Sequence, residues 1–345
     1  MRLFQYLTLM VSLSCLRVET NPLDASGPVG FLLSQALLNS QARSSFLLFT
    51  GTSKFLETKG DGVYTGRTFS GVAAGRIDAA AVLGRTIVGV NSADNTGYFS
   101  SDAGITWNTG SGISGAAGTR TVKNCGGILS AAGVNGTDLN TASSSDGVNW
   151  TQVSVAYLSP AVYGAGCHGS TFLLAFTSTS GPLTGQVGTS TDGRNYGVTA
   201  VGGTAVPMGL ASDGATIMAV DSGGQYYTST NSGGSYAGPS AVGQASPWKS
   251  IAYAGGRFIG TFFSAPNCNI LTYNGTNWTG VQSFACAAAP TWGGVAVSGS
   301  TILVVGTTGT AALVYRSTDN GITWVSDSIS EAGVTGFSDA VVLPP

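Results

Sequence analysis

Two short apolar strings carry an aspartate at the same place: "IDAAAV" holds Asp78 and "SDAVVL" holds Asp339. A pair of neighbouring carboxylates can serve as acid and base on a glycoside, or can hold a cation. An aspartate beginning a strand can equally cap local backbone N–H groups. Both readings stay open. The single histidine, His168 in "CHGSTF", stands beside a glycine as Asp213 does in "SDGATI", which reads as a turn position, and the spacing supports no Ser-His-Asp set. With one histidine and no C-x₂-C, zinc is not expected, nor is any other metal or a cofactor.

The charge inventory excludes other chemistries. Lys plus Arg total 14 and Asp plus Glu 16, for a net charge of −2 with no run of one sign. Nucleic-acid binding needs clustered cations to neutralise phosphates, and polybasic membrane binding needs the same. Neither is expected. Only 9% of residues are charged while 43% are hydrophobic. The surface must therefore be neutral and polar over a large core. The 52 glycines, the abundant Ser, Thr and Val, and the lack of long 3.6-residue apolar periods predict short strands and tight turns, an all-β chain.

Residues 1–14, "MRLFQYLTLMVSLS", have one early arginine and an apolar run too short to span a bilayer, which reads as an export signal. The next residue is Cys15, and "VSLSC" resembles a relaxed, spirochaete-like bacterial lipobox, with Ser12 where leucine is usual. The resemblance implies lipidation at Cys15; the alternative is an ordinary signal peptide cut nearby. Residues 15–43 mix Asn, Pro, Ser and Gly with one apolar stretch and read as a lipid-anchored or flexible tether. The expected location is the outer membrane or cell surface, otherwise the periplasm or medium.

The elements that position Asp78 and Asp339 are read from a repeat. "SSDAGITW" (100–107) returns as "STDNGITW" (317–324), with a full-length variant at 229–236, shorter copies at 144–150, 190–196 and 272–278 and, weakly, one at 59–64. Its acid or amide falls at Asp61, Asp102, Asp146, Asp192, Asn231, Asn274 and Asp319, spaced by 41, 44, 46, 39, 43 and 45 residues. That period matches one four-stranded propeller blade. Seven marks predict seven blades over 44–345. In one period, 78–84 reads as an inner strand, 85–90 as the second, 96–101 as the third, and 106–110 as the outer strand after the aspartate turn.

These strings are similar to the Asp-box, or BNR repeat, of sialidase-like propellers. The resemblance implies that each box sits on the hairpin between third and fourth strands as a structural brace. Its acid accepts backbone N–H groups, Gly104 and Gly321 permit the bend, and Trp107, Trp150, Trp278 and Trp324 cover the blade. A sialidase would further need an arginine triad, a tyrosine nucleophile with a glutamate, and an acid/base aspartate. Beyond Cys15 the glutamates are only Glu19, Glu57 and Glu331, Arg85 and Arg257 occupy equivalent turns, and the early Arg-Ile-Pro motif is missing.

The chain ends complete the ring. "GFSDAVVLPP" (336–345) reads as an inner strand without partners, and 44–64 as outer strands without an inner one, so the two are expected to share a blade and remove free sheet edges. Four cysteines follow Cys15, and export favours disulfides. Three pairings exist; Cys268–Cys286 within one blade and Cys125–Cys167 on neighbouring inner strands are favoured, with free thiols the alternative. Trp248 and Trp292 precede inner strands, where they can stack on a sugar or tuck between blades. Two functions follow. One is a non-catalytic propeller binding a glycan or protein ligand at the cell surface, tied to the membrane if Cys15 is lipidated. The other is an Asp-box glycoside hydrolase, sialidase-like, using channel carboxylates.

Overall fold

β-Branched and aromatic residues in runs of four to eight, punctuated by glycine turns, make strand the regular structure of the described residues. The computed structural model describes residues 44–345 apart from 74, 95, 114–120, 157–159, 178–184, 203–205, 242–247 and 287. Its 28 strands form seven four-stranded antiparallel sheets. Their inner strands are Phe337–Leu343 in blade 1, then Ala79–Leu83, Thr121–Cys125, Ala161–His168, Pro207–Ser212, Trp248–Ala254 and Thr291–Ser298 in blades 2 to 7. Each inner strand has a hydrogen-bonded neighbour on one side only.

Ring closure follows the sequence expectation. Phe337–Leu343 pairs with Ser45–Thr50, with Leu343 opposite Ser45 and Asp339 opposite Phe49. Lys54–Thr58 and Thr65–Thr68 complete the blade. Side chains secure the seam with blade 7. Arg316 donates twice to Asp327, at 2.8 and 3.0 Å, the Tyr64 hydroxyl donates to the same carboxylate at 2.6 Å, and Lys54 donates to the Ala332 carbonyl at 2.7 Å.

Apolar burial is divided among the seams. One hydrophobic cluster lies at each junction: Phe49, Phe55, Ile87 and Trp107 between blades 1 and 2, for example, and Leu173, Val187, Leu210 and Ile217 between blades 4 and 5. Second strands such as Thr171–Thr177 and Thr301–Thr307 are buried on both faces, because a blade packs against each side. A single blade could not do this alone, so the ring is the cooperative unit.

Close approach of inner strands depends on glycine. A Cβ on Gly294 would sit 2.1 Å from Asp339 Oδ1 and 3.0 Å from the Ala340 nitrogen, so only glycine lets blade 7 meet blade 1 there. Inner strands also bulge at one level. Ser338, Tyr163 and Met208 each lack an opposing residue in blades 1, 4 and 5, and Gly293 and Gly294 together oppose Val305 in blade 7. Such bulges re-aim side chains.

Candidate functional site

Where the inner strands meet, they enclose an axial cavity of about 310 Å³, lined by residues from all seven blades. The bulged Ser338, Tyr163, Met208, Gly293 and Gly294 are all in its wall. So are Asp78 and Asp339, the carboxylates the sequence pairs.

Each carboxylate is committed to the scaffold. Asp339 is buried; its Oδ2 accepts the Ala80 N–H of blade 2 at 2.9 Å and its Oδ1 the Ala340 N–H at 2.8 Å. Burial pushes its pKa up, while the Lys123 charge and the two N–H groups pull the other way. Asp78 Oδ2 accepts from the Ser92 nitrogen and hydroxyl, both at 2.7 Å, and Oδ1 lies 3.2 Å from Arg76 Nε. Of the two uses the sequence leaves open, backbone capping is the one these contacts serve.

Three polar side chains of the wall can donate. Lys123, Tyr163 and Tyr253 line the cavity, and no described residue hydrogen-bonds the Lys123 ammonium or either tyrosine hydroxyl. Tyr163 and Tyr253 are 41% and 38% exposed, so solvent reaches them. The sequence reading missed all three. Lys123 interrupts the otherwise neutral inner strand "TVKNC", which was its one visible signal.

The tryptophans divide. Trp248 is only 1% exposed, lodged between blades 5 and 6 with its ring 4.7 Å from Trp278 and 6.0 Å from Phe262. Gly260 makes its slot, since a Cβ there would lie 2.1 Å from the indole. It cannot stack on a sugar, which corrects that expectation. Trp292 stands half-buried in the cavity wall, 5.8 Å from the Tyr315 ring.

All seven acid or amide positions fall in the turn between the third and fourth strands. In blade 2, Asp102 Oδ1 accepts the Thr106 N–H at 2.9 Å, Gly104 donates to Ser100 Oγ at 2.9 Å, and Trp107 Nε1 donates to the Gly104 carbonyl at 2.9 Å. Asp319, Gly321 and Trp324 repeat this in blade 7. Asp146 and Asp192 cap their turns through Asn149 and Asn195, Trp150 bonds to Gly147, and Asp61 accepts from Val63 at 3.0 Å. Hydrogen bonds from Asn149 and Val148 hold the Asp146 carboxyl far below the usual range, and those from Thr323 bring Asp319 down to about 2. Asn231 and Asn274 take the same N–H groups without charge, at 2.9–3.0 Å. Charge is dispensable to the brace.

Blade 6 departs from the pattern. Trp278 opens the fourth strand opposite Tyr273, and its buried indole nitrogen has no partner among the described residues. Instead of covering Gly275 it packs on Trp248, Tyr226 and Tyr273. The four-residue turn 274–277 places it one strand position too early to reach back.

Both favoured cysteine pairs are bridged. Cys125–Cys167 ties the inner strands of blades 3 and 4, with Cα atoms 5.6 Å apart, and Cys268–Cys286 closes blade 6 at 5.7 Å. His168 Nδ1 lies 2.8 Å from Ser212 Oγ, beside Gly169 at φ +59°, with no carboxylate hydrogen-bonded to its ring. Among the described residues no cluster of three His, Cys, Asp or Glu could hold a metal. Cys15 lies outside the described residues.

No family model matches the sequence, and no curated protein matches it. Solved structures do. The WD40 β-propeller domain of Doa1 aligns with 77% of this chain and 86% of its own, at 12% identity and TM-score 0.58. The β-propeller domain of the Trilobed protease from Pyrococcus furiosus covers 83% of this chain and 92% of its own, at 8% identity and TM-score 0.53. A chain of a nidogen/laminin complex covers 70% of this one and 93% of its own, at 13% identity and TM-score 0.50. The chain is a seven-bladed β-propeller. Likeness at these identities establishes the fold alone, since one propeller scaffold hosts unrelated activities.

Proposed function

We propose that this propeller is a non-catalytic recognition module, exported and held at the cell surface or in the periplasm through a lipid on Cys15, that binds a glycan or a protein ligand. One observation carries the reading. The channel's two carboxylates are both held by the scaffold, through Ala80, Ala340, Ser92 and Arg76, while Lys123, Tyr163 and Tyr253 line the cavity with no hydrogen-bonding partner among the described residues. Concave sites with a few placed polar groups and aromatic walls suit binding. The box aspartates act as turn braces of the Asp-box kind, which accounts for their repetition without any reactive role.

A binding screen of the full chain against glycan and protein arrays tests the reading, with a captured ligand as the expected result. Turnover of a chromogenic glycoside that disappears in Asp78→Asn with Asp339→Asn would refute it in favour of a hydrolase. The anchor is tested separately by palmitate incorporation, expected in the wild type and lost in Cys15→Ala; equal labelling of both refutes it.

A further inference from the structure

The axial cavity holds both engaged and open side chains. Its two carboxylates are engaged: Asp339 takes one N–H on each oxygen, and Asp78 takes Ser92 twice and faces Arg76. Ser338 donates inward to the Ile77 carbonyl at 2.6 Å, and Ser212 is occupied by His168. Three side chains of the wall that no described residue hydrogen-bonds can donate to a ligand. The Lys123 ammonium offers three N–H groups, and Tyr163 and Tyr253 each offer a hydroxyl. The Lys123 charge acts on the Asp339 carboxyl, but no ion pair within 4 Å joins the two.

We infer that the axial cavity is a carboxylate-binding site, in which Lys123, Tyr163 and Tyr253 hold the carboxylate of a ligand that the aromatic wall with Trp292 packs around. This rests on the recognition reading above and names its ligand chemistry. A carboxylate suits these groups because it is acceptor-only and pairs with ammonium and phenol donors in short charge-assisted bonds. The volume, about 310 Å³, is at the small end of ligand pockets, which fits a single sugar-acid ring or a chain terminus of about two residues. Both sources present the same group. The bulge at Tyr163 explains how an inner-strand side chain is turned to the axis at this level.

The test titrates the full chain by calorimetry with two matched pairs: glucuronate against glucose, and N-acetyl-alanyl-alanine against its C-terminal amide. At least one acid is expected to bind, with its neutral partner weaker by about tenfold or more. The pair that responds identifies the source. Lys123→Met keeps the stem and removes the charge, and is expected to weaken the acid by about tenfold or more. Tyr253→Phe, at a half-exposed ring, should weaken it about two- to fivefold without moving the melting temperature. Failure of both acids to bind, equal binding of acid and neutral partner, or an unchanged affinity in both variants overturns the site. A ligand from the array screen that binds Lys123→Met as well as wild type also overturns it, yet leaves the recognition reading standing. A chain that binds nothing in either experiment overturns both.

Discussion

Replacing Asp339 with alanine should open the ring at its closing strand. The carboxylate accepts the Ala80 N–H, a group on the inner strand of blade 2 in a residue 3% exposed, and it also takes the Ala340 N–H. Leaving one buried donor unsatisfied costs about 1–3 kcal/mol. Two such donors, with some relaxation and water entry, give about 3 kcal/mol. At about 2 °C per kcal/mol for a chain of this size, the melting temperature should fall by about 6 °C. Asparagine keeps one carbonyl oxygen in place and should lose about half as much. Differential scanning calorimetry of the full chain at neutral pH, with far-UV dichroism to confirm the sheet, measures both. If alanine and asparagine variants melt within a degree of wild type, Asp339 is not a brace, and the assignment of the channel carboxylates to structure fails with it.

Gly294→Ala should cost about 1–3 kcal/mol, because its methyl group would overlap Asp339 Oδ1 and press on the Ala340 nitrogen; urea denaturation reads it. Acid should weaken the outer turns. Asp319 drops from its ordinary 3.8 to about 2 in the fold, so its stabilisation is complete above the ordinary value and is lost as pH falls through about 2. Melting curves between pH 5 and pH 2 should show that decline, and Asp319→Asn should flatten part of it while staying folded, as Asn231 already does. Removing the inter-blade bridge with Cys125→Ser and Cys167→Ser together should cost about 2–4 kcal/mol, measured against wild type under non-reducing conditions.

Blade number was legible because a turn that needs an acceptor, a glycine and a tryptophan writes the same letters each time it is built. Closure was legible for a similar reason: 44–64 lacks an inner strand and 336–345 is one. The cavity was harder. Tyr163 and Met208 reach its wall through bulges, and a bulge is a property of two paired strands, so neither strand's letters announce it. Trp248 kept two readings, stacking on a sugar or tucking between blades, because its burial depends on Gly260, on the adjacent strand and twelve residues away. Trp278 carries the box letter but sits on a turn of different length, so spacing alone suggested a contact that the hairpin does not allow.

The pairing of Ser45–Thr50 with Phe337–Leu343 joins stretches almost 300 residues apart. During translation the earlier stretch leaves the ribosome first and must wait, with one ladder of donors and acceptors unclaimed, until almost 300 further residues have been made. Throughout that interval the growing chain is an arc with sticky ends, open to pairing with another copy of itself. Export before folding, or a chaperone that shields that edge, would shorten the period of risk.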